Sequence, residues 1–333
     1  MSQTTLIPRP AGVSGSILVS DTTGAASIAV APFGEALVKA GHANPRILGM
    51  SADLAKYTDM HLFARAFPNR FFQVGMAEQS LVGMAAGLAR TGFIPFATTY
   101  CVFATRRAYD FIAIGAALGK ANVKIIAGLP GLTTSYGGTH QGIEDLALMR
   151  ALPNMTVIDP CDATEIAQAV PVIAAHPGPV YMRLLRGNVP VVLDPATYQF
   201  ELGRAKLLRP GNDVALISTG LMTARALEAA TELAGRGIEA AVLHVSTLKP
   251  FDAESVASLL NRVKLVVAIE NHVASGGLGS LVAETAVRGC FAIRWRQVAL
   301  PDAFCVSGSL PFLAEHYKMR AGDILEAALS LLD

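Results

Sequence analysis

The chain has 333 residues, 52% hydrophobic and only 16% charged, with a formal net charge of +1. That length suits two domains better than one. The charges are interspersed, which excludes a basic nucleic-acid stripe and a polybasic membrane segment. The apolar excess reads as extra core plus an apolar subunit interface, or simply as an Ala/Gly-rich α/β protein. Cys101, Cys161, Cys290 and Cys305 form no CxxC pair, so neither a disulfide framework nor a metal site is indicated and a reducing cytoplasm fits. The small, polar start with Pro8 and Pro10 lacks the charged n-region and apolar core of a signal peptide and reads as a leader over residues 1–27. The longest uncharged stretches, such as 125–143, contain Pro, several Gly and His140, which argues against a membrane span.

From residue 28 short apolar runs alternate with helical patterns. Strands are expected at Arg46–Gly49, Arg70–Val74, Phe93–Thr98, Val123–Ala127, Thr156–Ile158 and Pro179–Leu184. Helices are expected at Phe33–Ala40, Glu78–Ala89, Thr105–Leu118, Ile143–Leu148 and Ala163–Ala174. Such alternation predicts a parallel sheet covered by helices on both faces, a first α/β domain over 28–186. Residues 187–208 carry Pro190 and Pro195 and read as a linker with a hairpin. A second α/β domain follows over 209–333, with strands at Asp213–Ser218, Ala240–Val245, Lys264–Glu270 and Arg294–Val298. Helices are expected at Thr223–Arg236 and after Gly276-Gly277.

Four segments hold side chains suited to chemistry. In RFFQVGMAEQSLVGMAAGLARTG (70–92) a strand ends, a glycine turns the chain and Glu78 enters the first turn of a helix rich in Gly and Ala. Small residues let another backbone approach. Taken alone, Glu78 reads equally as a carboxylate that stabilises a helix N-terminus. FIPFATTYCVFATRR (93–107) spaces Tyr100 and Phe103 three apart after a strand, as an aromatic shelf for a flat heterocycle or as ordinary core. GLPGLTTSYGGTHQGIED (128–145) carries His140 in a Gly-rich loop before a helix, without a phosphate-loop pattern. IENHVASGGLGS (269–280) fails the dinucleotide fingerprint.

In this order, these segments resemble the C-terminal half of transketolase and of 1-deoxyxylulose-5-phosphate synthase. The resemblance runs from about residue 28 to the end. It rests on LGMSADL (48–54), VGMAEQ (74–79), GFIPFATTY (92–100), GGTHQGIEDLALMRALPNMTVIDPCDATE (137–165), LKPFD (248–252) and IENH (269–272). It implies an α/β fold of two domains, a thiamine-diphosphate pyrimidine-binding domain and a transketolase C-terminal domain. The family's diphosphate domain, with its GDG motif and Mg²⁺, has no counterpart in this sequence. The resemblance therefore implies a separate N-terminal subunit that holds Mg²⁺ and self-association in an α₂β₂ assembly.

The same resemblance implies roles. Glu78 would hydrogen-bond the aminopyrimidine of thiamine diphosphate and promote the tautomer that activates it. Tyr100 and Phe103 would stack on the pyrimidine, with Arg106 beside them. His140 would bond the substrate carbonyl or hydroxyl and move a proton. Arg186, in MRLLRGNVP, would clamp the distal end of a sugar. Ala29, Gly128 and Tyr136 stand where transketolase relatives carry an arginine, a histidine and an aspartate for the sugar, so the resemblance points to an unusual or modified ketose. The reaction implied is transfer of a two-carbon ketol unit from a ketose to an aldose. A synthase, a 2-oxoacid dehydrogenase β chain and a non-catalytic assembly subunit are the alternatives. The C-terminal domain is expected to support dimerisation.

Overall fold

The computed structural model describes residues 27–332; the leader expected over 1–27 lies, Ser27 apart, outside the described residues. Both expected α/β domains are present. Across the first sheet the strands are Thr247–Lys249, Thr156–Ile158, Val180–Leu184, Lys124–Gly128, Ile94–Tyr100, Ile47–Ser51 and Phe71–Gln73. All run parallel except Thr247–Lys249, which is antiparallel to its neighbour. The second sheet has the order Arg294–Leu300, Leu265–Val273, Val214–Ser218, Ala240–His244 and Lys206–Arg209, with only the last antiparallel.

Successive strand residues face opposite sides of a sheet, and both sides here are apolar. On one face Ile47, Phe96, Ile126 and Met182 meet the helices Pro32–Ala43 and Ala163–Ala175. On the other, Met50, Ala97, Ile125 and Tyr181 meet Glu78–Arg90 and Asp145–Ala151. That second core continues into Ile217, Leu243, Val256 and Leu260 of the second domain. Each Ile, Leu, Val, Phe or Met among them, when fully buried, contributes about 1.5–3 kcal/mol. The two halves therefore share one apolar core and do not hang from a flexible tether.

Polar pairs cross the same seam. Arg183 is buried and donates to both oxygens of Asp145 (2.5 and 2.8 Å), to Asp159 (3.1 Å) and to the Asn271 carbonyl (3.2 Å). Glu165 meets His244 Nε2 at 2.8 Å and also accepts from Tyr198.

Two expectations need correction. Residues 187–208, expected as a linker with a hairpin, pair instead with strands outside the segment. Asn188–Pro190 pairs with Ile28–Val30 in a two-stranded sheet, and Lys206–Arg209 forms an edge of the second sheet. Asp162, the N-cap of Ala163–Ala175, holds this stretch by accepting from the Val192 and Leu193 amides. The helix expected over 105–118 is interrupted. A π-helical stretch, Phe103–Arg107, is followed by a short α turn, Tyr109–Phe111, and a second π stretch, Ile112–Leu118. Thr105 Oγ1 bonds back to the Cys101 carbonyl at 2.8 Å, a contact that bends helices. Such wide turns collect at functional sites.

Candidate functional site

Ser51, Tyr100, Gly128 and Leu184 end neighbouring parallel strands at one edge of the first sheet. The crevice outside such carboxyl ends is where open α/β sheets bind ligands. The segments leaving these four ends carry Tyr57, then Phe103 with Arg106 and Arg107, then Tyr136 with His140, and then Arg186.

Glu78 opens the helix Glu78–Arg90 and is only 1% exposed. A helix N-terminus favours a carboxylate there. Its Oε2 accepts from Arg107 Nη1 at 2.8 Å, whereas Oε1 makes no hydrogen bond among the described residues. Arg107, half-exposed, also lies over the Phe103 ring with its guanidinium carbon 4.8 Å from the centroid. Sequence reasoning missed Arg107. It follows Arg106 in the chain, and neighbouring residues on a helical turn point in different directions, so Arg106 reaches Glu144 while Arg107 reaches Glu78.

Tyr100 and Phe103 stack, with centroids 5.9 Å apart and planes 29° from parallel. The His140 ring meets Phe103 edge-on at 5.4 Å, Tyr100 at 6.4 Å and Tyr136 at 5.3 Å. Its Nδ1 lies 2.9 Å from Thr139 Oγ1. Burial pushes the Tyr100 hydroxyl up from its ordinary value, the Arg186 charge pulls it down, and the phenols of Tyr136 and Tyr57 add to the rise. The structure thus brings Tyr100, Phe103, His140 and Arg186 into one region.

Arg186 lies with its guanidinium 5.7 Å from the Tyr57 ring centroid, and its Nε is buried without a partner among the described residues. The next amide, Gly187 N, donates to both oxygens of Asp59 at 3.2 Å. Burial pushes the Asp59 carboxyl up to about 6, against the pull of that amide and of Arg186. Gly128 lies close under its neighbours: a Cβ there would stand 3.3 Å from Thr58 Cγ2 and 3.6 Å from Tyr100 Cδ1, so a side chain would need a small shift of Thr58.

Arg106 turns away from the aromatic pair. It bonds both oxygens of Glu144, the Gly138 carbonyl at 2.7 Å and the Gln141 carbonyl at 3.3 Å. The bond to Glu144, with its charge, keeps the guanidinium above its ordinary value against partial burial.

Glycines 276, 277 and 279 serve a different purpose. A Cβ on Gly277 or Gly279 would collide with Glu270 or Gln297, and one on Gly276 would stand 2.5 Å from Ala147. They let the helix Leu278–Arg288 close on Glu270, which accepts from the Leu278 and Gly279 amides.

Cys161, Glu165 and His244 bring three potential metal ligands within 4.8 Å of one another. Both Glu165 oxygens and both His244 nitrogens already have protein partners. This cluster reads as a staple between the domains. No helix among the described residues is long and apolar enough to cross a membrane.

Residues 29–192 match the family model described as the pyrimidine binding domain of transketolase, and residues 203–324 match the transketolase C-terminal domain. The chain is 55% identical over 91% of its length to a transketolase family protein of Sinorhizobium fredii, covering 88% of that protein. It is 42% identical over 88% of its length to a 6-deoxy-6-sulfo-D-fructose transketolase subunit of a Clostridium species, covering 90% of it. A solved structure described as a split-gene transketolase in an inactive β4 tetramer superposes with a TM-score of 0.84. It shares 44% identity and covers 90% of this chain and 97% of its own. With both domains matched in order, the chain belongs to the transketolase family.

Proposed function

We propose that this chain is the C-terminal subunit of a split, thiamine-diphosphate-dependent transketolase that moves a two-carbon ketol unit from a ketose to an aldose. The carrying observation is Glu78, a buried carboxyl at the start of a helix, whose Oε1 makes no hydrogen bond among the described residues and whose Oε2 is held by Arg107, the arginine that lies over Phe103 of the aromatic pair. That donor set fits an aminopyrimidine, which needs one carboxyl hydrogen bond and a flat apolar face. When bound, thiamine diphosphate supplies an electron sink for the acyl-anion equivalent.

The chain's own residues would do the following. Glu78 Oε1 holds a proton against the aminopyrimidine ring nitrogen, with Arg107 fixing its other oxygen. Tyr100 and Phe103 present the stacking face. His140 exchanges a proton with the substrate oxygen through Nε2. Arg186 receives the far end of the sugar, phosphorylated or otherwise modified, through its unpartnered Nε. Arg106 is a positioning residue for the His140 loop and not a wall of the pyrimidine pocket.

A separate N-terminal subunit supplies the diphosphate site and the Mg²⁺ ligands. Self-association into an α₂β₂ assembly fits the exposed Met76, Met84, Ile114 and Leu118 around the small-residue helix. Four free cysteines fit a reducing cytoplasm.

The test is to co-express this chain with a diphosphate-domain chain and assay ketol transfer with Mg²⁺ and thiamine diphosphate. The donor panel contains ketoses ending in hydroxyl, phosphate and sulfonate. Turnover that needs both chains is the expected result. Turnover by this chain alone would sink the split-subunit reading. Activity confined to pyruvate or another 2-oxoacid would replace the transketolase reading with a synthase or dehydrogenase one.

A further inference from the structure

The C-terminal domain lies against the loop that carries His140. Between residues 131 and 147 this loop meets it at both ends and in the middle. At one end, Leu132 N donates to Asn271 Oδ1 at 2.9 Å. At the other, Val273 N donates to the Ile143 carbonyl at 2.9 Å and Ala147 N donates to His272 Nε2 at 3.3 Å. Burial pushes the His272 imidazole down to about 4, so its Nε2 is an acceptor at neutral pH.

In the middle, residues 304–308 close over the turn that precedes His140. Gly308 N donates to the Ser135 carbonyl at 3.2 Å. Gln141 Nε2 donates to the Thr134 carbonyl at 3.0 Å and reaches the Val306 carbonyl at 3.5 Å. A Cβ on Gly137 would stand 2.6 Å from Ser307 Oγ, and one on Gly138 would stand 3.2 Å from Phe304 Cβ. Gly137 has φ +77, which L side chains rarely adopt, so the turn is open to this approach only as glycine.

Arg106 joins the pieces. It leaves the π-helical stretch three residues after Phe103, bonds Glu144 and the Gly138 and Gln141 carbonyls, and is covered by Phe304, 5.2 Å from guanidinium carbon to ring centroid. A cation held under an aromatic face is attracted by the negative charge of the ring's π face. Phe304 is itself 74% exposed, so it fills no core and its placement is not a packing requirement.

We propose that residues 304–308 of the C-terminal domain, with Phe304 and Arg106 as positioning residues, hold the His140 loop at its working distance from the aromatic pair. The domain then acts on the reaction as well as on assembly. This rests on the transketolase reading given above. A displacement of about 1 Å in a reacting group can cost up to about a hundredfold in rate. A loop that carries a proton-transfer group gains from a second wall.

The experiment uses the complex with the diphosphate-domain chain and compares wild type, Phe304→Ala, Phe304→Tyr and Arg106→Gln. Amide hydrogen exchange over residues 134–144 and steady-state ketol transfer are read together. Phe304→Ala is expected to speed loop exchange and lower kcat about tenfold, with thiamine diphosphate affinity and Tm unchanged, and Phe304→Tyr to restore both. Arg106→Gln is expected to act in the same direction and more strongly. Unchanged loop exchange in Phe304→Ala would overturn the clamp. Faster exchange with kcat intact would overturn its part in the reaction. Wild-type complex without ketol transfer would overturn the transketolase reading, and the catalytic part of this proposal with it, while the exchange data stand apart.

Discussion

Two carboxylates occupy comparable places in the two domains and are used differently. Glu78 and Glu270 are both buried; Glu78 opens a helix, and Glu270, on the strand Leu265–Val273, faces the first turn of the helix Leu278–Arg288. Both oxygens of Glu270 accept backbone amides, and Gln297 adds a third donor at 3.0 Å. Burial pushes its carboxyl up to about 7, against the pull of those donors. Among the described residues Glu78 has one side-chain partner, the half-exposed Arg107, and one oxygen left over. The same device closes a fold at one place and leaves a reactive group at the other. The unspent hydrogen-bonding capacity separates the two, since an acceptor left open on a carboxyl is a place for a ligand's donor.

The largest effect should come from breaking the open carboxylate. Glu78→Gln is expected to lower kcat for ketol transfer by about 10²–10⁴-fold while Tm stays within experimental error. Steady-state kinetics and thermal melts on the same preparation check both. A large loss of Tm would mean that Glu78 is as structural as Glu270.

Next comes the staple that fastens the domains. Removing one partner of a buried ion pair costs about 3–5 kcal/mol, and Glu165→Gln leaves His244 without its counter-charge. Burial alone would raise the Glu165 carboxyl, but His244 beside it holds it below the usual 4.5. Burial would lower His244, but Glu165 holds it above the usual 6.5. A lowered carboxyl contributes stability above its unfolded value, lost as pH falls through the folded one. A raised imidazole contributes below its unfolded value, lost as pH rises through the folded one. The deficit of Glu165→Gln in urea unfolding should therefore be greatest between pH 4.5 and 6.5 and shrink on either side. A deficit that does not vary with pH would show that the pair is neutral.

Smaller effects test the closed carboxylate and the exposed helix. Gly277→Ala forces a Cβ into Glu270 and should cost about 1–3 kcal/mol by chemical denaturation, with kcat nearly intact. Gly87 has nothing within 4 Å of a built Cβ, so Gly87→Ala should add about 0.5–1 kcal/mol to the stability of the chain. If that helix face is the subunit seam, the same change weakens association in sedimentation analysis. Unaltered association would place the seam elsewhere.

Much of this was legible in the sequence. Strands such as Thr156–Ile158 and Val180–Leu184 read as apolar runs, and Glu78 announced itself as a carboxylate after a strand and a glycine. The broken helix over 103–118 was not legible, because its periodicity is that of an ordinary helix, while the Thr105 bond to the Cys101 carbonyl accompanies the wider turn only in the folded chain. The strand Thr247–Lys249 was equally hidden. It is three residues long and joins the first domain's sheet from inside the second half of the chain.

The sequence by itself determined the order of elements, the two-faced strands, the glycines at crowded turns and the set of groups that chemistry could use. These depend on near neighbours along the chain, where spacing and residue type act directly. Tertiary structure alone decided which groups meet. It gave Arg107 to Glu78, Arg106 and Phe304 to the His140 loop and His244 to Glu165, and among the described residues it left Arg186 Nε buried without a partner and Glu78 Oε1 outside any hydrogen bond. Local periodicity carries no record of long-range pairing, which is set by how two sheets and their helices exclude water together.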